Sequence, residues 1–572
     1  MLFPSALANT FSSLWSQDGD IVPTSSTSSI RQKEAFITCI RKRRHLLVAA
    51  AIFVIVSSLY KLRKRISQKQ RRTEKVKLIS GTLPCVGHLL ELYNEPDTLI
   101  NRGKHEAGPI FCIKVGNMDV YVLTGSLIQE MLHSPRRFNG YAGFQIIMPI
   151  ERALKISYEH KFKISPPNPR DKDPVGYTVR ENFKPYNLGV FSTRIQQGLD
   201  HALDDLQELD LKPREKKIIN LKDTVSWIVS QVSCLCLAGT HVGFNKELVY
   251  TMTRLAPKIS KAALILSFFP NWIAERIIRR CISLEKELDV IMDLLVPELE
   301  KMQQTGGYNQ QHEQSFISMA LNIPPKSNGE SRTPKEIAIA FTKVALGSID
   351  TTRDIVIFIL YELAYNPALV QELRTEIKKL DERTPEKVND IRLLDSILRE
   401  VLRFKAISLT LLHKTTQDVT LAPSTSSSSY EKKIIPRNSL VIAAINDAHT
   451  DPTVMTETSS SHRMTSIDSN GFTYTPLQLN QFDPYRYMHT TDDNNKWEST
   501  SIGPELLTFG LSAHACPGRY FAAFQVKYIV AELIMRYNIS STINSDKRPK
   551  DRQFLGLTRT PPDIPLVFER FN

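Results

Sequence analysis

The chain is poor in cysteine, with seven in 572 residues: Cys39, Cys85, Cys112, Cys234, Cys236, Cys281 and Cys516. The count is odd, the spacing is scattered and no C-x-x-C pair occurs, which argues against a disulfide scaffold or a structural zinc site. Most of these thiols read as small buried apolar groups in a reducing compartment. Internal repeats are missing. Net charge is scarce outside one segment: residues 41–77 hold thirteen Lys or Arg against one acidic residue, Glu74, which is +12 of the total +13. The rest of the chain is nearly neutral, so the basic character is local and no nucleic-acid partner is expected.

What does occur inside that segment is an apolar run, Leu46 to Tyr60, with Arg41–Arg44 before it and Lys61–Arg65 after it. Its fifteen residues would span only ~22 Å as a helix, against a hydrocarbon core of ~30 Å. Flanking Lys and Arg can snorkel and extend the usable length. Residues 41–65 are therefore expected to form a single-pass transmembrane anchor, followed by a basic linker at 66–80. More than forty residues precede the run and no small-residue cleavage site follows it, unlike a secretory signal. Four basic residues lie on the N-terminal side and nine on the C-terminal side, which places the body in the cytosol. The Asn538–Ser540 sequon should then carry no glycan.

Residues 1–40 are Ser/Thr-rich, with T-S-S-T-S-S at 24–29, and read as disordered. Patterned sequence runs from about Gly81 to the C-terminus, interrupted by polar stretches at 424–429 and 456–470 that read as surface loop insertions. Strand patterns occur at Ile110–Val115, Asp119–Leu123 and Ser439–Ile445. The clearest helix starts at Thr333, an N-cap followed by Pro334 and completed as a capping box by Glu336. No breaker appears before Asn366-Pro367.

That helix is apolar on nearly every side, so it should be buried. Its centre nevertheless reads G-S-I-D-T-T, Gly347 to Thr352. Ser348, Thr351 and Thr352 can bond carbonyls one turn earlier, which leaves Asp350 unexplained except by a partner or a function. A second feature is E-V-L-R, Glu400 and Arg403, whose spacing puts both side chains on one helical face amid leucines. A third is the turn F-D-P-Y-R-Y, Phe482 to Tyr487. The fourth is F-G-L-S-A-H-A-C-P-G-R, Phe509 to Arg519, running straight into an amphipathic helix. Gly510 and Gly518 allow tight backbone on both sides of Cys516, and a helix starting beside the sulfur favours a thiolate.

In this order the four features resemble the cytochrome P450 superfamily, from roughly residue 80 to the C-terminus. The wording of the last 240 residues is most similar to fungal microsomal members. The resemblance implies a mainly helical cytochrome P450 fold with small β-sheets over 81–572 and a haem cofactor. Cys516 would be the iron's thiolate ligand, with Phe509, Gly510, His514 and Gly518 around the cofactor. Asp350 and Thr351 would move protons on the distal side, with Gly347 making room. Glu400, Arg403 and Arg486 would form a structural ion-pair cluster. The sequence departs from the family pattern at Ser512, where the signature usually has Gly and where φ > 0 would be costly for Ser. It also has His413 and Lys414 roughly where an Arg commonly meets a propionate, lacks the Pro after E-x-x-R, and shortens the N-terminal Pro-rich hinge to Leu83-Pro84.

The resemblance further implies dioxygen and an NADPH-dependent reductase as partners, the endoplasmic reticulum membrane as location, and oxidation of a lipophilic small molecule. Segments Phe138–Ile150 and Leu255–Phe269, mostly apolar or aromatic, are expected to line the pocket. Two other readings are a haem-thiolate isomerase or dehydratase that needs no reductase, and a non-catalytic membrane-tethered haem protein. The first does not need the Asp350-Thr351 pair, and intact Cys516, Glu400 and Arg403 weigh against the second.

Overall fold

The computed structural model describes residues 76–162, 171–304, 314–421, 432–455, 466–467, 473–474, 477–488, 498–543, 548–554 and 556–571. The expected anchor at 41–65, the 1–40 segment, most of the 66–80 linker and the 424–429 insertion lie outside them. Among the described residues no helix is long and apolar enough to cross a membrane. Part of the 456–470 stretch is described, and there Ser466–Ile467 pairs antiparallel with Thr473–Tyr474.

The largest sheet has five strands: β1 (Ile110–Val115), β2 (Met118–Leu123), β3 (Phe138–Asn139), β4 (Thr410–Thr415) and β5 (Leu440–Ala444), in the order β1-β2-β5-β4-β3. All its pairings are antiparallel except β2 with β5, where Val120 faces Leu440 and Leu123 faces Ala443. Period-two alternation divides its side chains between two cores. Ile110, Cys112 and Val441 join helix α1 (Leu127–Leu132) on one face. Phe111, Ile113, Val120 and Ile442 join Leu92, Leu99 and Ile100 on the other. Strand β5 is covered on both sides, and all five of its residues are buried.

The rest is mainly helical. The elements that matter for the site are α2 (Pro174–Asn182), α3 (Leu221–Ala238), α4 (Lys246–Phe268), α5 (Glu285–Gln304), α6 (Pro334–Ala364), α7 (Arg392–Phe404) and α8 (Arg519–Arg536). Helix α6 has 31 residues, about 47 Å at the usual rise. It packs against α2, α3, α4, α5, α7 and α8, which explains why nearly its whole circumference is apolar. Its start has the expected chemistry. Thr333 Oγ1 accepts the Glu336 N–H at 3.3 Å, and Glu336 Oε2 accepts the Thr333 N–H at 2.7 Å.

Thr333→Ala removes one half of this capping box at an exposed position. It should lower unfolding stability by about 1 kcal/mol, read as a reduced denaturant midpoint with unchanged slope.

Candidate haem site

Three groups of residues converge on one cavity. From α6 come Val344, Gly347, Ser348, Thr351, Thr352 and Ile355; from the segment before α8 come Thr508, Phe509, Cys516, Pro517 and Gly518, with Phe521 and Ala522 from α8 itself. Val175, Val179, Phe183, Leu237, Ile407 and Ser408 close the sides. The empty space, counting the part open to solvent, is about 920 Å³.

The cysteine loop is a tight reversal. Cys516 donates its N–H to the Phe509 carbonyl at 2.7 Å, and Gly510 donates to Leu507 at 2.8 Å. Gly510 has φ of 74°, and Ser512, in the place of the family's glycine, has φ of 56°. Ser512 thus carries the backbone cost that a positive φ imposes on a residue with a Cβ. Helix α8 begins three residues beyond Cys516 with Gly518 as its N-cap, so the positive end of the helix lies next to the sulfur in sequence. Arg519 pins the turn by donating Nη1 to the Cys516 carbonyl at 3.0 Å and Nε to Thr500 at 2.9 Å. The side chain of His514 lies outside the described residues; its backbone closes a short 3-10 turn, Ser512–His514.

These residues fit a haem. Cys516 is a free thiol in the cavity wall, the soft donor that iron accepts from protein. Helix α6 lines the same cavity with Gly347 and the small hydroxyl residues Ser348, Thr351 and Thr352, beside Val344 and Ile355. A Cβ at Gly518 would meet no protein atom nearer than Val179 Cγ1 at 3.9 Å, so the absent side chain leaves room in the cavity itself. No cluster of His, Cys, Asp or Glu able to hold a separate metal ion occurs among the described residues.

Asp350 and Thr351 are placed differently from each other. Thr351 lines the cavity, and its hydroxyl donates to the Gly347 carbonyl at 2.8 Å. Asp350 is 2% exposed and does not line the cavity; its Oδ1 accepts from Arg353 Nη1 at 2.6 Å. Arg353 also holds Asp354 at 2.7 Å, making a buried acid-base-acid group. Burial pushes the Asp354 carboxyl up to about 6, against the opposing pull of Arg353. The D-T-T-R-D run, charged in an otherwise buried helix, is the sequence signal for this group, although of its three charged residues only Asp350 is a site candidate from the sequence.

Glu400, Arg403 and Arg486 do come together, and all are fully buried. Arg403 forks onto Glu400 with Nε at 2.8 Å and Nη2 at 2.7 Å, while Arg486 Nε reaches both carboxylate oxygens at 3.2 Å. The Asp483 N–H adds a fourth donor at 3.0 Å. Spare guanidinium donors go to the carbonyls of His449, Leu479 and Leu477. His449, which the sequence reading missed, extends this cluster to the cysteine loop. Its Nδ1 lies 3.0 Å from the Arg403 carbonyl, and its Nε2 accepts the Leu507 N–H at 2.9 Å. Those partners assign the neutral Nδ1–H tautomer. Burial, then the charge of Arg403, pulls its pKa down to about 3.

His413 and Lys414 sit in β4, with His413 buried. The segments expected to line the pocket do not do so. Helix α4 is turned into the apolar core instead, and its Ser267 hydroxyl donates to the Ile147 carbonyl at 2.6 Å. Gly143 is pressed against the β4 backbone, where a Cβ would lie 2.4 Å from His413. Helix α2, Leu237 of α3 and Ile407–Ser408 provide that wall; no motif marks them in the sequence.

Two outcomes test the cluster. Glu400→Gln leaves two buried guanidinium groups with only the Asp483 carboxylate, 3.9 Å from Arg486, as counter-charge and should cost ~3–5 kcal/mol of stability, measured by chemical unfolding. For His449, the unfolded imidazole takes a proton below its ordinary 6.5, but the folded one resists until about 3. The unfolded state thus binds more protons across that window, and stability falls as pH drops through it. Relative to His449→Asn, the native protein should lose up to ~1.4 kcal/mol more per pH unit there, read from denaturation curves at stepped pH.

Residues 79–458 and 479–568 match the family described as Cytochrome P450. The chain is 28% identical over 363 residues to Cytochrome P450 monooxygenase ausG of Emericella nidulans, covering 61% of each chain. It is 23% identical over 475 residues to Cytochrome P450 monooxygenase 71 of Postia placenta, covering 81% of this chain and 86% of that one. The alignment with the first of these thus spans only 61% of that relative's length. Among solved structures, a retinoic acid-bound cyanobacterial CYP120A1 superposes with a TM-score of 0.59 at 17% identity, covering 87% of this chain and 100% of that one, a likeness of fold alone. With the profile of the family spanning the fold and the cysteine loop alike, the chain belongs to the cytochrome P450 family.

Proposed function

We propose that this protein is a haem-thiolate monooxygenase that oxidises a lipophilic small molecule, using dioxygen and electrons from an NADPH-dependent reductase. Family membership implies the haem and its cysteine ligand. The observation that carries the reading is the position of Cys516 in a largely apolar cavity that Gly347 and Thr351 also line. When bound, the haem supplies dioxygen activation, which a thiolate ligand favours.

The chain's own residues do the rest. Cys516 would hold the haem iron, and the loop bond to Phe509 fixes the direction of its backbone. Val175, Val179, Phe183, Leu237, Val344 and Ile355 present apolar surface that excludes water and accepts a greasy substrate. Thr351 places a hydroxyl at the cavity wall, where it can hold or pass a proton. Asp350 must leave Arg353 before its carboxylate can join that exchange.

The basic flanks of the 46–60 run support an anchor in the endoplasmic reticulum membrane, with the catalytic body in the cytosol. Glycan on Asn538 in the native host would overturn that topology.

The decisive measurement is the reduced, CO-bound absorption spectrum of wild type beside Cys516→Ala. Wild type should give a thiolate-type spectrum that the variant lacks; identical spectra, or no haem in wild type, would sink the reading. Dioxygen and NADPH consumption with a partner reductase then separates a monooxygenase from a reductase-independent isomerase. In that assay Thr351→Val should retain haem and lower product per NADPH by about tenfold or more.

A further inference from the structure

Ser512 occupies the step of the cysteine loop where a side chain is least easily accommodated. Its φ of 56° is left-handed, a conformation that costs a residue with a Cβ ~1–2 kcal/mol. The loop cannot dispense with it. The Ala515 N–H returns to the Ser512 carbonyl at 3.1 Å, and the Cys516 N–H returns to Phe509 at 2.7 Å. Relaxing Ser512 to an ordinary φ would undo the first bond and turn Cys516 away from the cavity.

One contact opposes that relaxation. Ser512 Oγ lies 2.8 Å from Nδ1 of His133, 379 residues earlier in the chain. His133 caps the end of α1 and donates its N–H to the Gln129 carbonyl at 2.9 Å. The same helix carries an apolar contact to the loop, because Leu507 and Leu511 share a buried cluster with Leu127, Ile128, Met131 and Leu132. Just beyond His133 the chain enters β3, which is tied to β4 by the Phe138–Thr415 pair. The His133 backbone therefore stands on a fixed platform, from which its exposed imidazole reaches the exposed Ser512.

We propose that His133 is a positioning residue for the haem-ligand loop, holding Ser512 in the left-handed conformation that a glycine would adopt unaided. Serine and histidine together replace the glycine of the family signature. Depending on the tautomer, Nδ1 accepts the serine hydroxyl or donates to its oxygen.

The inference rests on the haem-thiolate reading for its first readout, and a second readout makes it independent. The full-length chain and four variants, His133→Ala, His133→Asn, Ser512→Gly and the double variant His133→Ala/Ser512→Gly, are compared by haem loss to excess apomyoglobin and by thermal midpoint. His133→Ala should speed haem loss about two- to tenfold and lower the midpoint, with His133→Asn recovering most of both. In the Ser512→Gly background the His133→Ala change should do neither, since glycine takes a positive φ without support. Equal effects of His133→Ala in both backgrounds, or no effect in either, overturn the proposal. Wild type without haem would defeat the proposed function, while the same cycle read on thermal midpoints still decides the role of His133.

Discussion

The buried carboxylate of Glu400 is the interaction on which the proximal half of this molecule depends. A charge in that position is tolerable only when nearly every hydrogen-bonding direction around it is filled. Two guanidinium groups and a backbone N–H fill them, and the guanidinium groups are in turn satisfied by carbonyls of distant segments. Each bond also fixes a stretch of chain that has little regular structure of its own. Helix α7, the turn around Asp483 and the segment at His449 are thereby brought to one point. From there His449 and Thr508, the latter bonded to the Leu402 carbonyl, hand the constraint to the cysteine loop. A buried ion cluster is a poor source of net stability; here it acts as a device for register.

Helix α6 does two jobs on two faces. Gly347, Thr351 and Ile355 recur every four residues and face the cavity. Asp350, Arg353 and Asp354 lie about a quarter-turn or more away and form an internal charge group. Asp354 also borders a small polar cavity with Lys222, Tyr361, Arg552 and Asp563. Burial, followed by the charge of Arg353, pulls the Lys222 pKa down, so this side of the helix is electrostatically crowded. The hydroxyl and the carboxylate that are adjacent in sequence thus look in different directions, a separation that helical geometry imposes on any i, i+1 pair.

The cavity owes its shape to packing decisions made elsewhere. Helix α4, rich in apolar residues, is consumed by the core shared with α3, α5 and α6. The short helix α2 becomes a wall because it lies across both α6 and the cysteine loop, with Val179 approaching the position of a Gly518 side chain. Apolar composition alone could not separate the two roles, since a core residue and a pocket residue obey the same hydrophobic preference.

The sequence by itself determined the local chemistry of this protein. The capping box at Thr333, the period-two strands at 110–123 and 440–444, the i,i+3 pairing of Glu400 with Arg403 and the glycine-framed turn at Cys516 are all set by neighbours within a few residues. Such features are legible because backbone geometry and short-range hydrogen bonds do not depend on the rest of the fold. Only the tertiary structure decided which of these groups meet. It left Asp350 off the cavity wall, gave His449 its two partners, and chose α2 over α4 as the pocket wall. It also brought His133 against Ser512 across 379 residues of sequence. Those outcomes follow from long-range packing and the competition for buried hydrogen-bond partners, which no local pattern of residues records.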